Sequence, residues 1–153
     1  MTDEINIDPE IWGPGFWSSM EALACTINKR NKKNIGFFFE NLRTILPCEN
    51  CRNHYNLYCN DFPVEKFLQN SLTLLVWLYQ LKIKIKTRQE RPVPKFIDWL
   101  EYLIEKYDLP EIYYHLDKNN EYLDMMKRWN MKPSVALKKY RLREYQACLD
   151  FQN

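Results

Sequence analysis

Three glycines in 153 residues limit this chain to architectures that turn rarely. Sandwiches and doubly wound sheets need frequent tight turns, where glycine supplies the left-handed backbone. Helices joined by short connections have no such need. With 46% hydrophobic and 15% aromatic residues, the chain has enough apolar material for one core. That excludes the disordered class, which has few aromatics and a high net charge. The net charge is +2, well short of the clustered excess with which domains grip nucleic acid. The longest apolar run, Leu74 to Tyr79, is too short to span a bilayer, and Met1–Ile5 carries no apolar signal stretch. The expectation is a small, soluble, all-α protein of the cytoplasm, with no nucleic-acid partner and no membrane span.

Apolar spacing places the helices. After Trp17, Met20, Leu23, Ala24 and Ile27 recur at three and four, which predicts a first helix. The run Asn28–Asn34 breaks it as a solvated loop. A second helix is expected over 35–45 with Phe38, Leu42 and Ile45 on one face, ended by Pro47. Pro47 then suits the first turn of a third helix carrying Cys48, Cys51, His54, Tyr55 and Tyr58. A fourth, with Leu72, Leu75 and Trp77, starts near Val64 or Ser71. Leu81–Lys86 alternates like a strand but follows that helix without a breaker, so it reads as the helix's end. Arg91–Pro94 is a linker, and a fifth helix follows over 95–107 with Phe96, Trp99, Leu100, Leu103 and Ile104 inward. The domain reading is a flexible N-terminus over 1–11, a helical bundle over 12–107, and a C-terminal helical extension over 108–153, interrupted at Lys132-Pro133.

Five cysteines in a chain of this kind point to chemistry rather than to a secreted disulfide framework. Cys25 and Cys148 read as small buried hydrophobes. Cys48 and Cys51, three apart on one helix face, are within disulfide reach. A thiol in a helix's first turn faces unpaired N–H groups and the positive helix end, which favour the anion that attacks disulfides. Pro47-Cys-Glu-Asn-Cys51 therefore suits reversible dithiol exchange. Zinc is the alternative, because Cys48, Cys51, His54 and Cys59 are four suitable ligands within twelve residues. In a continuous helix, His54 and Cys59 lie about 9 and 16 Å along the axis from Cys48, at 1.5 Å per residue. The zinc set thus needs the helix to break before Cys59, or completion by His115 or a second chain.

With these residues in view, the chain resembles the Erv/ALR family of flavin-linked sulfhydryl oxidases, especially its short viral members. Trp12-Gly-Pro-Gly-Phe-Trp17 is similar to the family's WGPxxW, Pro47-Cys48-x-x-Cys51-x-x-His54 to its PCxxCxxH, and Trp77-Leu-Tyr-Gln-Leu81 to its WLxxL. Arg88 and Pro92 fall where its RxxKP ending lies. The resemblance implies four helices plus a short fifth, a homodimer, and FAD at the bundle mouth. Trp12, Trp17, His54, Trp77 and Arg88 are the residues it would assign to a bound FAD. On packing grounds alone, the three tryptophans are core residues.

The chain departs from the family at the flavin. Glu21 stands where the family has a histidine, and Lys82-Ile-Lys-Ile-Lys86 stands for its HNxVN. Imidazole stacks on adenine and an amide hydrogen-bonds ribose, and lysine and isoleucine do neither in that way. The expectation is a thiol–disulfide redox protein without bound cofactor. Cys48 and Cys51 would exchange with a thiol or disulfide partner, in a cytosolic disulfide-forming chain of the kind large DNA viruses run, in host cytosol or virion. FAD and zinc are the alternative cofactors.

Overall fold

The structure is a computed structural model that describes residues 4–109. The extension expected over 108–153 lies almost wholly outside the described residues, as do His115 and Cys148. Among the described residues there are five α-helices, one 3₁₀ turn and no strand. The helices are α1 Pro9–Cys25, α2 Lys32–Ile45, α3 Glu49–Asp61, α4 Ser71–Arg88 and α5 Phe96–Tyr107, with the 3₁₀ turn at Val64–Phe67. The all-α expectation holds. The chain divides into two compact units between Leu78 and Tyr79, inside α4.

In the first unit, α1 starts earlier than its apolar stripe predicts. Asp8 caps it by accepting the Glu10 N–H at 2.9 Å, and Pro9 takes the first helical position, where its missing N–H costs nothing. Pro9–Ile11, read from sequence as part of the N-terminal segment, are thus helical. α2 buries Ile35, Phe39 and Leu42. The predicted face was Phe38, Leu42 and Ile45, yet Ile45 is 60% exposed. Three consecutive phenylalanines allow either register, and packing selects Phe39. A Cβ at Gly36 would sit 2.9 Å from the Cδ1 of Leu68, the residue after the 3₁₀ turn, so that flexible side chain would have to shift.

Asn70 and Thr73 settle where α4 begins. The Thr73 N–H donates to Asn70 Oδ1 at 3.1 Å, and the Asn70 N–H donates to Thr73 Oγ1 at 3.0 Å. This reciprocal cap fixes the start at Ser71. Trp77 on α4 is wholly buried among Phe39 of α2 and Tyr55 and Tyr58 of α3, with ring centroids 5.3, 6.3 and 5.2 Å away. Its indole N–H donates to the Phe62 carbonyl at 2.8 Å, and Tyr58 donates its hydroxyl proton to the Trp77 carbonyl at 2.6 Å. Arg43 ties α2 to α3, donating from Nε to Asn56 Oδ1 at 2.7 Å and from Nη2 to Asn60 Oδ1 at 2.6 Å.

In the second unit, Leu81–Lys86 is helical as expected, despite its strand-like alternation. Tyr79 stacks its ring near Phe96 and Trp99 of α5, at 5.1 and 5.6 Å, and donates its hydroxyl proton to the Pro94 carbonyl at 2.7 Å. α5 buries the predicted Phe96, Trp99, Leu100, Leu103 and Ile104.

α4 closes with paired bonds: the Arg91 N–H donates to the Lys86 carbonyl at 2.9 Å, and the Glu90 N–H to the Thr87 carbonyl at 3.1 Å. This ending forces Glu90 into left-handed geometry, φ 55°. A side chain there costs about 1 kcal/mol relative to glycine. Glu90→Gly is therefore expected to stabilise the protein by about 1 kcal/mol in urea titration; a variant less stable than the parent would show that this ending is not the one the chain adopts.

Candidate functional site

Pro47 disfavours helical geometry at the residue before it, so α2 ends at Ile45 and Leu46 turns away with φ −55° and ψ 134°. Cys48 then takes an extended backbone, φ −156° and ψ 122°, and Glu49 is the first helical residue of α3. This corrects the sequence reading, which put Pro47 and Cys48 inside the first turn. The helix starts two residues later than read, and this changes what the sulfur does. Cys48 is the N-cap, and its Sγ accepts the backbone N–H of Cys51 at 3.3 Å. The two cysteines are thus joined through a backbone hydrogen bond before any disulfide forms. Both are half-buried, and Cys25, Cys48, Cys51 and Cys59 are all thiols.

Groups far away in sequence complete this end of α3. The Glu49 N–H donates to Asn6 Oδ1 at 2.7 Å, and the Ile7 N–H donates to the Pro47 carbonyl at 2.8 Å. Arg52 pairs with the Glu4 carboxylate and donates from Nη1 to the Leu46 carbonyl. The Arg52 N–H closes the first helical bond, to the Cys48 carbonyl at 3.0 Å. At this helix start the Cys51 N–H meets the Cys48 sulfur, Asn6 takes the Glu49 N–H, and Arg52 braces Glu4 and the Leu46 carbonyl. Asn6, Glu4 and Arg52 escaped the sequence reading. Arg52 was visible beside the CxxC, but nothing local links residues 4–7 to it.

The other two thiols are of a different kind. Burial pushes the Cys59 thiol up to about 11, against a lowering by the Tyr55 hydrogen bond and by Arg43. Burial, with Glu21 beside it, pushes Cys25 up to about 12. Both are protonated and packed at neutral pH, as expected for Cys25. His54 is half-buried on α3, and Cys59 lies in the last turn of the same unbroken helix. No group of three or more His, Cys, Asp or Glu side chains gathers as a metal site among the described residues. The helix does not break before Cys59, so Cys48, Cys51, His54 and Cys59 are strung along it rather than collected.

The residues that the resemblance assigns to a flavin differ in their surroundings. Trp77 has no exposed surface. Trp12, half-buried, donates its indole N–H to the Ile7 carbonyl at 2.8 Å and packs edge-on against Phe16. Trp17 is half-buried on α1, and Arg88 lies exposed in the last turn of α4. Glu21 is buried where the family has histidine. Trp77 is core.

Two measurements check this site. Serine is a good N-cap, so Cys48→Ser should keep the stability of the reduced protein, while Cys48→Ala should lose about 1 kcal/mol by denaturant titration. Equal losses would show that the sulfur caps nothing. The buried thiols raise stability fully below about pH 9, and that contribution falls as pH rises through about 11 and 12. Alkylation at pH 8 should accordingly reach Cys48 and Cys51 first, with Cys25 and Cys59 labelled only on unfolding.

No family model matches the chain, and no solved structure matches it. Among curated proteins it is similar to one named "Putative FAD-linked sulfhydryl oxidase 096R", of Invertebrate iridescent virus 3, at 22% identity over 92 residues. The match takes in 58% of this chain and 62% of that protein's length. The likeness points the same way as the motifs at 12–17, 47–54 and 77–81: toward the sulfhydryl-oxidase kind of thiol redox protein.

Proposed function

We propose that this protein carries out thiol–disulfide exchange through Cys48 and Cys51, without a flavin step. The observation that carries the reading is the Cys48 sulfur accepting the Cys51 N–H at the start of α3. That sulfur is half-buried at the helix start, and the second thiol sits three residues on. The Cys48 thiolate attacks one sulfur of a partner disulfide. The partner's S–S bond breaks, its released sulfur takes a proton, and a mixed disulfide links Cys48 to the partner. The Cys51 thiolate then attacks Cys48 Sγ and releases the partner's second thiol. Two electrons and two protons pass from the cysteine pair to the partner, and the reverse sequence delivers a disulfide.

The proposal makes the protein a link in a cytosolic disulfide-forming chain, working as a homodimer with a thiol or disulfide protein as partner. The relative's printed name favours a second reading, a flavin-linked sulfhydryl oxidase. Glu21, Lys82, Ile83 and Lys86 speak against it, because none offers the imidazole or amide that the resemblance requires.

The test uses Cys51→Ser with oxidised glutathione as probe. The variant should hold one glutathione on Cys48 as a stable mixed disulfide, whereas the parent resolves it within the same time. No adduct on Cys48 would overturn the proposal. So would stoichiometric zinc whose chelation unfolds the protein, and a yellow preparation with one flavin per chain would replace the reading with the oxidase.

A further inference from the structure

Building on the exchange reading, we infer that Asn6 is a positioning residue for the Cys48–Cys51 pair, holding the start of α3 in place when the Cys48 sulfur gives up its cap. Three contacts run in order along residues 4–7 and back along 47–52: Glu4 with Arg52, Asn6 with Glu49, Ile7 with Pro47. The N-terminal segment therefore lies antiparallel to the stretch that carries both cysteines. Its central contact, Asn6 Oδ1 accepting the Glu49 N–H at 2.7 Å, joins residues 43 apart.

The helix start shows why this contact bears on redox chemistry. The first turn of a helix leaves N–H groups with no partner inside the helix. Here Cys48 Sγ takes the Cys51 N–H and Asn6 Oδ1 takes the Glu49 N–H. The dithiol form thus has two caps from two side chains. When Cys48 and Cys51 are oxidised, the Cys48 sulfur turns toward its new bond, so its cap on the Cys51 N–H weakens. Asn6 is then the remaining side-chain cap of the first turn, acting beside the Ile7–Pro47 and Arg52 contacts to keep Glu49 at the first helical position. Removing the Asn6 acceptor leaves the dithiol form with one full cap and the disulfide form with only the weakened one. The disulfide form is harmed more.

The reaction used to read this is the pair against glutathione: Cys48 and Cys51 give up two electrons and two protons, and oxidised glutathione becomes two reduced glutathiones. Asn6→Ala should shift the equilibrium toward the dithiol by about threefold or more, as expected for loss of a cap. Its melting temperature should fall further in the oxidised than in the reduced protein. Asn6→Asp keeps an acceptor and should restore the parent equilibrium. A purely structural Asn6 would lower both melting temperatures equally and leave the equilibrium unchanged, which overturns the inference while leaving the exchange reading intact. A parent protein that forms no Cys48–Cys51 disulfide in the same titration overturns both.

Discussion

Trp77 is the residue on which the first unit is fixed. Its ring is enclosed by Phe39, Tyr55 and Tyr58, and both its polar groups are engaged by α3 or the residue just after it. Burying an indole without an acceptor for its N–H costs about 1–3 kcal/mol. The Phe62 carbonyl removes that cost and, in doing so, sets the end of α3 against α4. Removing a buried tryptophan side chain costs about 3–5 kcal/mol, against total stabilities of about 5–15 kcal/mol for a domain. Trp77 therefore holds the far end of α3. Arg43, bonded to Asn56 and Asn60, fixes the same helix from the side of α2.

With α3 held at its far end, its near end can serve chemistry. The four described cysteines divide by position. Cys25 and Cys59 sit where burial keeps the thiol protonated, and Cys48 and Cys51 sit half-buried at the start of α3, joined by the Cys51 N–H to Cys48 Sγ hydrogen bond. A buried protonated thiol does not attack disulfides. A thiol at a helix start, half-open to partners, can. The division separates two packed thiols from two available ones among the four described cysteines.

Much of this was legible in the sequence, and the failures have physical reasons. The scarcity of glycine excluded sheet architectures, and the stripe Phe96, Trp99, Leu100, Leu103, Ile104 is buried as read. α2 came out rotated because Phe37, Phe38 and Phe39 satisfy two registers, and only packing chooses. α1 has a start signal at Asp8-Pro9-Glu10, but Gly13-Pro14-Gly15 interrupts the apolar stripe that would have extended it. The CxxC was found by spacing, while the two-residue shift that makes Cys48 a cap depends on backbone angles that spacing does not carry. Asn6 was illegible for a stronger reason: its acceptor role exists only once residues 43 apart are brought together.

The central claim is that Cys48 and Cys51 form one reversible redox pair. Peptide mapping by mass spectrometry tests it most directly, on protein oxidised with one equivalent of a small disulfide and then alkylated. The account predicts a single linked peptide joining Cys48 to Cys51, with Cys25 and Cys59 recovered as thiols and the link lost on adding a reductant. A Cys48 linked to Cys59 or Cys25, or no intramolecular link at all, would contradict it.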